Sequence, residues 1–184
     1  MGRKSLLSVV IALAAFALAL PAASGAAGQG LIAPPSACPD QADPGAAVAK
    51  QVKAMRCMTN YARQRRDKPR LAGLASLDRA AGRKADDILR CDQFDHEACG
   101  RDFTYWFERV GYAGRCTTLG ENIAWGTGSL GSVRNIFSAW IKSPSHRANI
   151  LGGFKEIGIG LRVGTLGRNR DARVWTQEFG SRTC

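Results

Sequence analysis

The sequence predicts an α+β domain whose strands are mostly antiparallel, and three observations carry that prediction. Apolar residues recur at three- and four-residue steps in several segments up to about residue 151, as one buried helical face requires. From Glu156 to Phe179 the spacing changes to alternation, the period of a strand with two different faces. Six cysteines, Cys38, Cys57, Cys91, Cys99, Cys116 and Cys184, all follow an apolar N-terminal run. An even number in an exported chain argues for three disulfides.

The N-terminus reads as an export signal. Arg3 and Lys4 precede an apolar run from Leu6 to Leu20, and small residues from Ala22 to Ala27 offer cleavage points. The run is shorter than the roughly 18 to 20 apolar residues of a membrane span and is rich in weakly apolar alanine. We therefore expect residues 1–27 to be removed, leaving 157 of the 184 residues, a typical size for one domain with a single core. Residues 28–43, rich in Ala, Gly and Pro, read as a short lead-in, and residues 44–184 as the domain.

Within the domain, Asp43-Pro44 offers a cap and a first helical residue, and Val48, Val52, Met55 and Met58 or Thr59 form one face of a helix to about Arg66. Ser76 is placed to cap a second helix through about Leu89. A shorter helix from Thr104 to Val110 stops at Gly111. Ser132 starts another to Ser143, where Pro144 forbids smooth continuation, and His146 to Leu151 forms a short turn. Glu156 to Val163 and Arg173 to Phe179 are the strands, joined by a turn-rich stretch.

Cys-x-x-Cys is absent, which removes support from zinc-finger and thioredoxin readings. Six cysteines allow 15 pairings and sequence does not choose among them. The set we expect is Cys38 with Cys57, Cys91 with Cys99, and Cys116 with Cys184. Without Arg3 and Lys4, 24 basic residues face 15 acidic ones, a net charge of +9. Such a surface attracts anionic polymers and membranes without specifying one. Its densest basic run, Arg63 to Arg70, reads as a solvated helix end whose cations complement the macrodipole. No nucleic-acid motif accompanies it, and the domain reads as a monomer.

Only two histidines occur, His96 and His146, each twenty-five residues from Glu121. They lie in Phe94-Asp95-His96, in Trp140 to Leu151 with Ser143-Pro144-Ser145-His146, and around Gly120-Glu121-Asn122-Ile123-Ala124. Together with Cys57 to Arg63, Arg109-Val110-Gly111-Tyr112, Ile157-Gly158-Ile159-Gly160 and Trp175-Thr176-Gln177-Glu178-Phe179-Gly180, these segments resemble, in order, the CAP superfamily. This is the SCP domain of cysteine-rich secretory proteins, antigen 5 and pathogenesis-related proteins, and the resemblance is closer to the secreted bacterial branch. It covers roughly residues 48 to 180. It implies an α-β-α sandwich with a small central sheet flanked by helices, and a cavity lined by two histidines and two glutamates that in several members binds zinc or another divalent ion.

His96, Glu121 and His146 match three of those four positions. The fourth is missing, because no Asp or Glu occurs between Glu121 and Glu156 and the helix from Ser132 cannot supply it. Two imidazoles and a carboxylate are nonetheless a known three-ligand set for zinc, the favoured cofactor, with an open fourth position. Read singly, the same residues suit structural roles: Glu121 at a turn, His146 capping its helix, His96 exposed after Phe94. Asn122, Asn149 and Gln177 are the supporting candidates, Asn149 orienting His146 or capping a loop, while Trp140 and Trp175 belong to the core. Ser143 and Ser145 stand beside His146 without a demonstrated base geometry, so no catalytic residue is assigned.

Three functions compete. First is an extracellular module that binds an unknown ligand or a divalent metal in this cavity. A cationic binder of cell-wall polymers or lipids comes second, and a zinc-assisted, peptidase-like hydrolase third.

Overall fold

The computed structural model describes residues 30–183, so the expected export signal, Gly28 and Gln29 lie outside the described residues, as does Cys184. The elements run α1 (Val48–Gln64), β1 (Ala72–Gly73), α2 (Ala75–Arg90), α3 (Tyr105–Arg109), β2 (Thr117–Gly126), α4 (Val133–Lys142), α5 (Pro144–Leu151), β3 (Glu156–Leu166) and β4 (Asn169–Arg182). Four strands form one sheet in the order β1-β3-β4-β2. Only the two-residue β1 pairs in parallel, and β2–β4 and β3–β4 are antiparallel.

Two layers of helix cover the sheet, and the alternation of β4 shows which side meets which. Trp175 and Phe179 join the main core with Met55 and Met58 of α1, Phe137 and Trp140 of α4, and Ile150 of α5. Val174, on the opposite face, packs with Ala85 and Ile88 of α2, and Thr176 Oγ1 donates to the Ala81 carbonyl. A face this apolar is stabilised by roughly 25 cal/mol for each Å² withdrawn from water, which is what holds both layers to the sheet. Leu31, Ala33 and Cys38, from the stretch read as a lead-in, are fully buried in the main core. Arg134 of α4 fixes that stretch through the Ala33 carbonyl and Gln41 Oε1.

Local signals located most elements and misjudged some ends. The first helix starts at Val48 rather than beside Asp43, because Asp43 accepts the Gly45 N–H at 2.7 Å and closes a turn ahead of it. Ser76 does not cap α2, which starts one residue earlier at Ala75, with Leu74 at its N-cap and no side-chain cap bond. Ser132 does cap α4, accepting from Asn135 N at 3.4 Å, and Pro144 does interrupt the helix, with α4 ending at Lys142 and Pro144 itself opening α5. The two expected strands grow to 11 and 14 residues, because the stretch read as turn-rich zips into a hairpin closed at Gly167. Strand β2, ten residues long, had no periodic signal of its own.

Disulfides Cys38–Cys57 and Cys91–Cys99 form as expected. The first ties the N-terminal stretch to α1, and the second closes the loop that carries His96. The third expected pair ends on Cys184, outside the described residues.

Gly158 and Gly160 let α2 lie directly on β3. A Cβ at Gly158 would overlap the Leu77 carbonyl group, and one at Gly160 the Ala81 carbonyl. Both obstacles are helix backbone, which cannot rotate away. Gly158→Ala should therefore cost about 3 kcal/mol in chemical denaturation. Gly114→Ala, where a Cβ meets nothing within 4 Å, should stay within about 0.5 kcal/mol of the parent.

Candidate functional site at the edge of the sheet

Strand β2 is an edge strand, and its register with β4 sets the site. Glu121 stands opposite Glu178, and Asn122 opposite Gln177. Neighbouring residues point to opposite faces, so the two glutamates share the α2 side while the two amides share the α1 and α5 side. The outer edge is not left bare. Trp140 Nε1 donates to the Ile123 carbonyl at 3.2 Å and Asn149 Nδ2 to the Glu121 carbonyl at 3.0 Å, so α4 and α5 satisfy edge groups that would otherwise invite pairing.

On the α2 side, Glu121 Oε1 lies 2.5 Å from His96 Nδ1. The carboxylate is almost wholly buried, while the His96 side chain remains 50% exposed. The loop bearing that histidine is held by the Cys91–Cys99 bridge and by Asp87 of α2, which is buried and accepts from Arg101, Arg90 and Trp106. Burial alone would raise the Asp87 pKa, but these three donors outweigh it and keep the carboxylate well ionised.

Lys84 and Glu178 are the residues sequence reasoning missed. Lys84 is buried on α2, donates to the His96 carbonyl and lies 3.7 Å from Glu121 Oε1. Glu178 is buried as well, and its Oε2 has no donor, nor has Glu121 Oε2. Two buried carboxylates beside one ammonium would leave a negative charge uncompensated, a cost of several kcal/mol. Burial first, and the adjacent Glu121 second, push the Glu178 pKa well above the carboxylate range, which favours its protonated form. A second glutamate thus reaches the site from β4 rather than from the helix after Ser132. Its signal was the alternation of β4, which could be used only once the β2–β4 register was known.

On the other face, Asn122 Nδ2 donates to the His146 carbonyl and to Gln177 Oε1, both at 3.1 Å. Asn149 Nδ2 donates to Asn122 Oδ1 at 2.9 Å, and Gln177 Nε2 to Thr59 Oγ1 at 2.9 Å. Asn149 therefore orients the backbone around His146 and not its ring. The imidazole itself is half-buried against Trp140, ring centroids 6.5 Å apart. Burial lowers its pKa, and the charge of nearby His96 lowers it further.

The expected metal set does not assemble in this geometry. Among the described residues no group of three or more His, Cys, Asp or Glu is placed to hold a metal ion. The physical reason is visible in the donors: His96 turns Nδ1 to Glu121, and the Lys84 ammonium already supplies the cation beside that carboxylate. Ser143 Oγ and Ser145 Oγ lie 3.3 Å from each other, and no described hydroxyl bonds either imidazole. The site can bind and exchange protons, with no activated nucleophile among the described residues.

The CAP sequence profile, described as the cysteine-rich secretory protein family, matches residues 58–179. The chain belongs to this family. Solved structures share the fold of its CAP domain. An extracellular SCP-domain protein from Bacillus anthracis superposes with a TM-score of 0.58 at 21% identity, covering 73% of this chain and 43% of that one. An outer surface protein from Borrelia burgdorferi gives 0.61 at 17% identity, covering 75% of this chain and 97% of that one. A cysteine-rich secretory protein from Staphylococcus aureus gives 0.55 at 17% identity, with 71% and 38% covered. This chain therefore spans less than half of the Bacillus and Staphylococcus chains. Among curated proteins, none matches.

Two predictions follow from the charges. Glu121 first, through its hydrogen bond, raises the His96 pKa against the opposing effect of burial. His96 should titrate above, and His146 below, the ordinary imidazole value of about 6.5. The stability His96 contributes is complete below that value and fades as pH rises through its own midpoint. That of His146 is complete above it and fades as pH falls toward its own midpoint. Ring-proton NMR should show both midpoints, and Glu121→Gln should bring His96 back toward the ordinary value. Metal analysis of the exported protein should find no stoichiometric divalent ion, and chelation should leave the thermal midpoint unmoved; one tightly held zinc would contradict the donor geometry described above.

Proposed function

We propose that this chain is an exported CAP-domain module whose His96–Glu121 pair and His146 recognise an extracellular ligand at the edge of β2. The observation that carries the reading is the 2.5 Å contact between a buried carboxylate and a half-exposed imidazole. A core histidine gains from burial; here the fold instead uses a buried acid to fix a ring that stays open to solvent, leaving Nε2 as its free contact. With its pKa raised, His96 offers an N–H⁺ to an anionic oxygen, while the more buried His146 stays neutral and can accept or donate. The preferred ligand therefore carries a carboxylate or a similar acidic oxygen.

Export is supported by the N-terminal apolar run, by the disulfides and by the descriptions of two similar structures as extracellular and outer surface proteins. Among the described residues no helix is long and apolar enough to cross a membrane.

Acetate and a short acidic peptide serve as probes, followed through the two histidine ring signals. Saturable movement of both rings that is lost in His96→Ala, with the fold retained, supports recognition at this site. Unmoved rings with every probe would leave His96 and His146 as structural residues and defeat the proposal.

A further inference from the structure

Most of the basic run from Arg63 to Arg70 is exposed, as a solvated helix end is, and Arg63 is its exception. Arg63 turns inward and is buried, and its guanidinium joins two segments distant in sequence. Nε donates to the Pro69 carbonyl at 2.7 Å, Nη1 to the Ile150 and Gly152 carbonyls at 2.9 and 2.8 Å, and Nη2 to the Phe154 carbonyl at 3.2 Å. The two segments so joined are the walls of a concavity of about 360 Å³, into which Lys68, Arg70 and Lys155 also face.

The charge of this concavity is not compensated from within. No acid lines it, and Arg63 meets carbonyls rather than a carboxylate. Burial accordingly lowers the Arg63 pKa, as expected for a desolvated cation without a counter-ion. Among the described residues Lys68 and Lys155 make no ion pair, and Arg70 bonds only the neutral Gln64 side chain. The nearest acid in sequence to Lys155, Glu156, is engaged by Tyr112 and Arg182. Asp67, beside Lys68, is exposed and not part of the lining.

We propose that this concavity is an anion-binding site for a phosphate ester, separate from the histidine site. Four cationic side chains on fixed walls suit a group carrying more than one negative charge, and guanidinium and ammonium donors are the usual partners of phosphate. The volume falls within the range of small-molecule sites and exceeds what a bare phosphate fills, so the organic part of the ester has room. Arg63 acts as a positioning residue that preforms the walls, while Lys68, Arg70 and Lys155 make the contacts. The phosphate could belong to a soluble ester or to a lipid headgroup, and the probes separate these.

Glycerol 3-phosphate should bind the full exported protein, moving the amide signals of Gly152 and Gly153 while leaving both histidine rings in place. At matched ionic strength, Lys68→Glu with Lys155→Glu should weaken this binding about tenfold or more. Both positions are exposed, and circular dichroism confirms retention of the fold. Vesicles of phosphatidylglycerol that compete with glycerol 3-phosphate assign the site to a headgroup; failure to compete assigns it to soluble esters. Equal binding by parent and double variant, or no saturable binding of glycerol 3-phosphate, overturns the proposal. Because the histidine rings are monitored in the same spectra, failure here is distinguishable from failure of the site at β2.

Discussion

The pairing register between β2 and β4 is the constraint on which the site depends. With Glu121 opposite Glu178, two carboxyl groups are forced onto one buried face, where like charge and desolvation would drive them apart. The fold eases this by favouring the protonated form of Glu178 and by setting the Lys84 ammonium 3.7 Å from Glu121 Oε1. Glu121 is then free to hold His96. A one-residue slip of β2 would put Asn122 in place of Glu121 beside Glu178 and would turn the Glu121 carboxylate toward the apolar layer of α1 and α4.

That register is protected from both sides. The amide network of Asn122, Gln177, Asn149 and Thr59 joins the sheet to α1 and α5, and each added bond is consistent with one alignment only. Trp140 and Asn149 occupy the carbonyls of Ile123 and Glu121 on the free edge. Two of the edge carbonyls are thus occupied by side chains rather than by another strand. Arg63 performs a comparable task elsewhere, joining the end of α1 to the loops around Pro69 and Gly152 through carbonyl groups alone.

Much of the fold was legible because periodicity is a local property. The face of α1 with Met55 and Met58, the Ser132 cap of α4, the Pro144 break and the alternation of β3 all follow from residues a few positions apart. Strand β2 was not legible, since Gly120-Glu121-Asn122 alternates in no simple apolar pattern: one face is charged and the other amide-bearing, and both are buried. The inward turn of Arg63 was hidden for a similar reason, because carbonyl oxygens that accept its hydrogen bonds carry no signature in sequence.

By itself the sequence determined the α+β class, the helices and long strands, the family to which the chain belongs, and the two histidines and glutamate as residues of interest. Only the tertiary structure decided how those residues relate. It set Glu121 on His96 Nδ1, brought Lys84 and Glu178 beside it, and tied the His146 carbonyl to Asn122. The reason is physical: which side chains share a face, and which of them are charged, depends on strand register and helix docking between segments far apart in sequence, as Thr59 and Gln177 are.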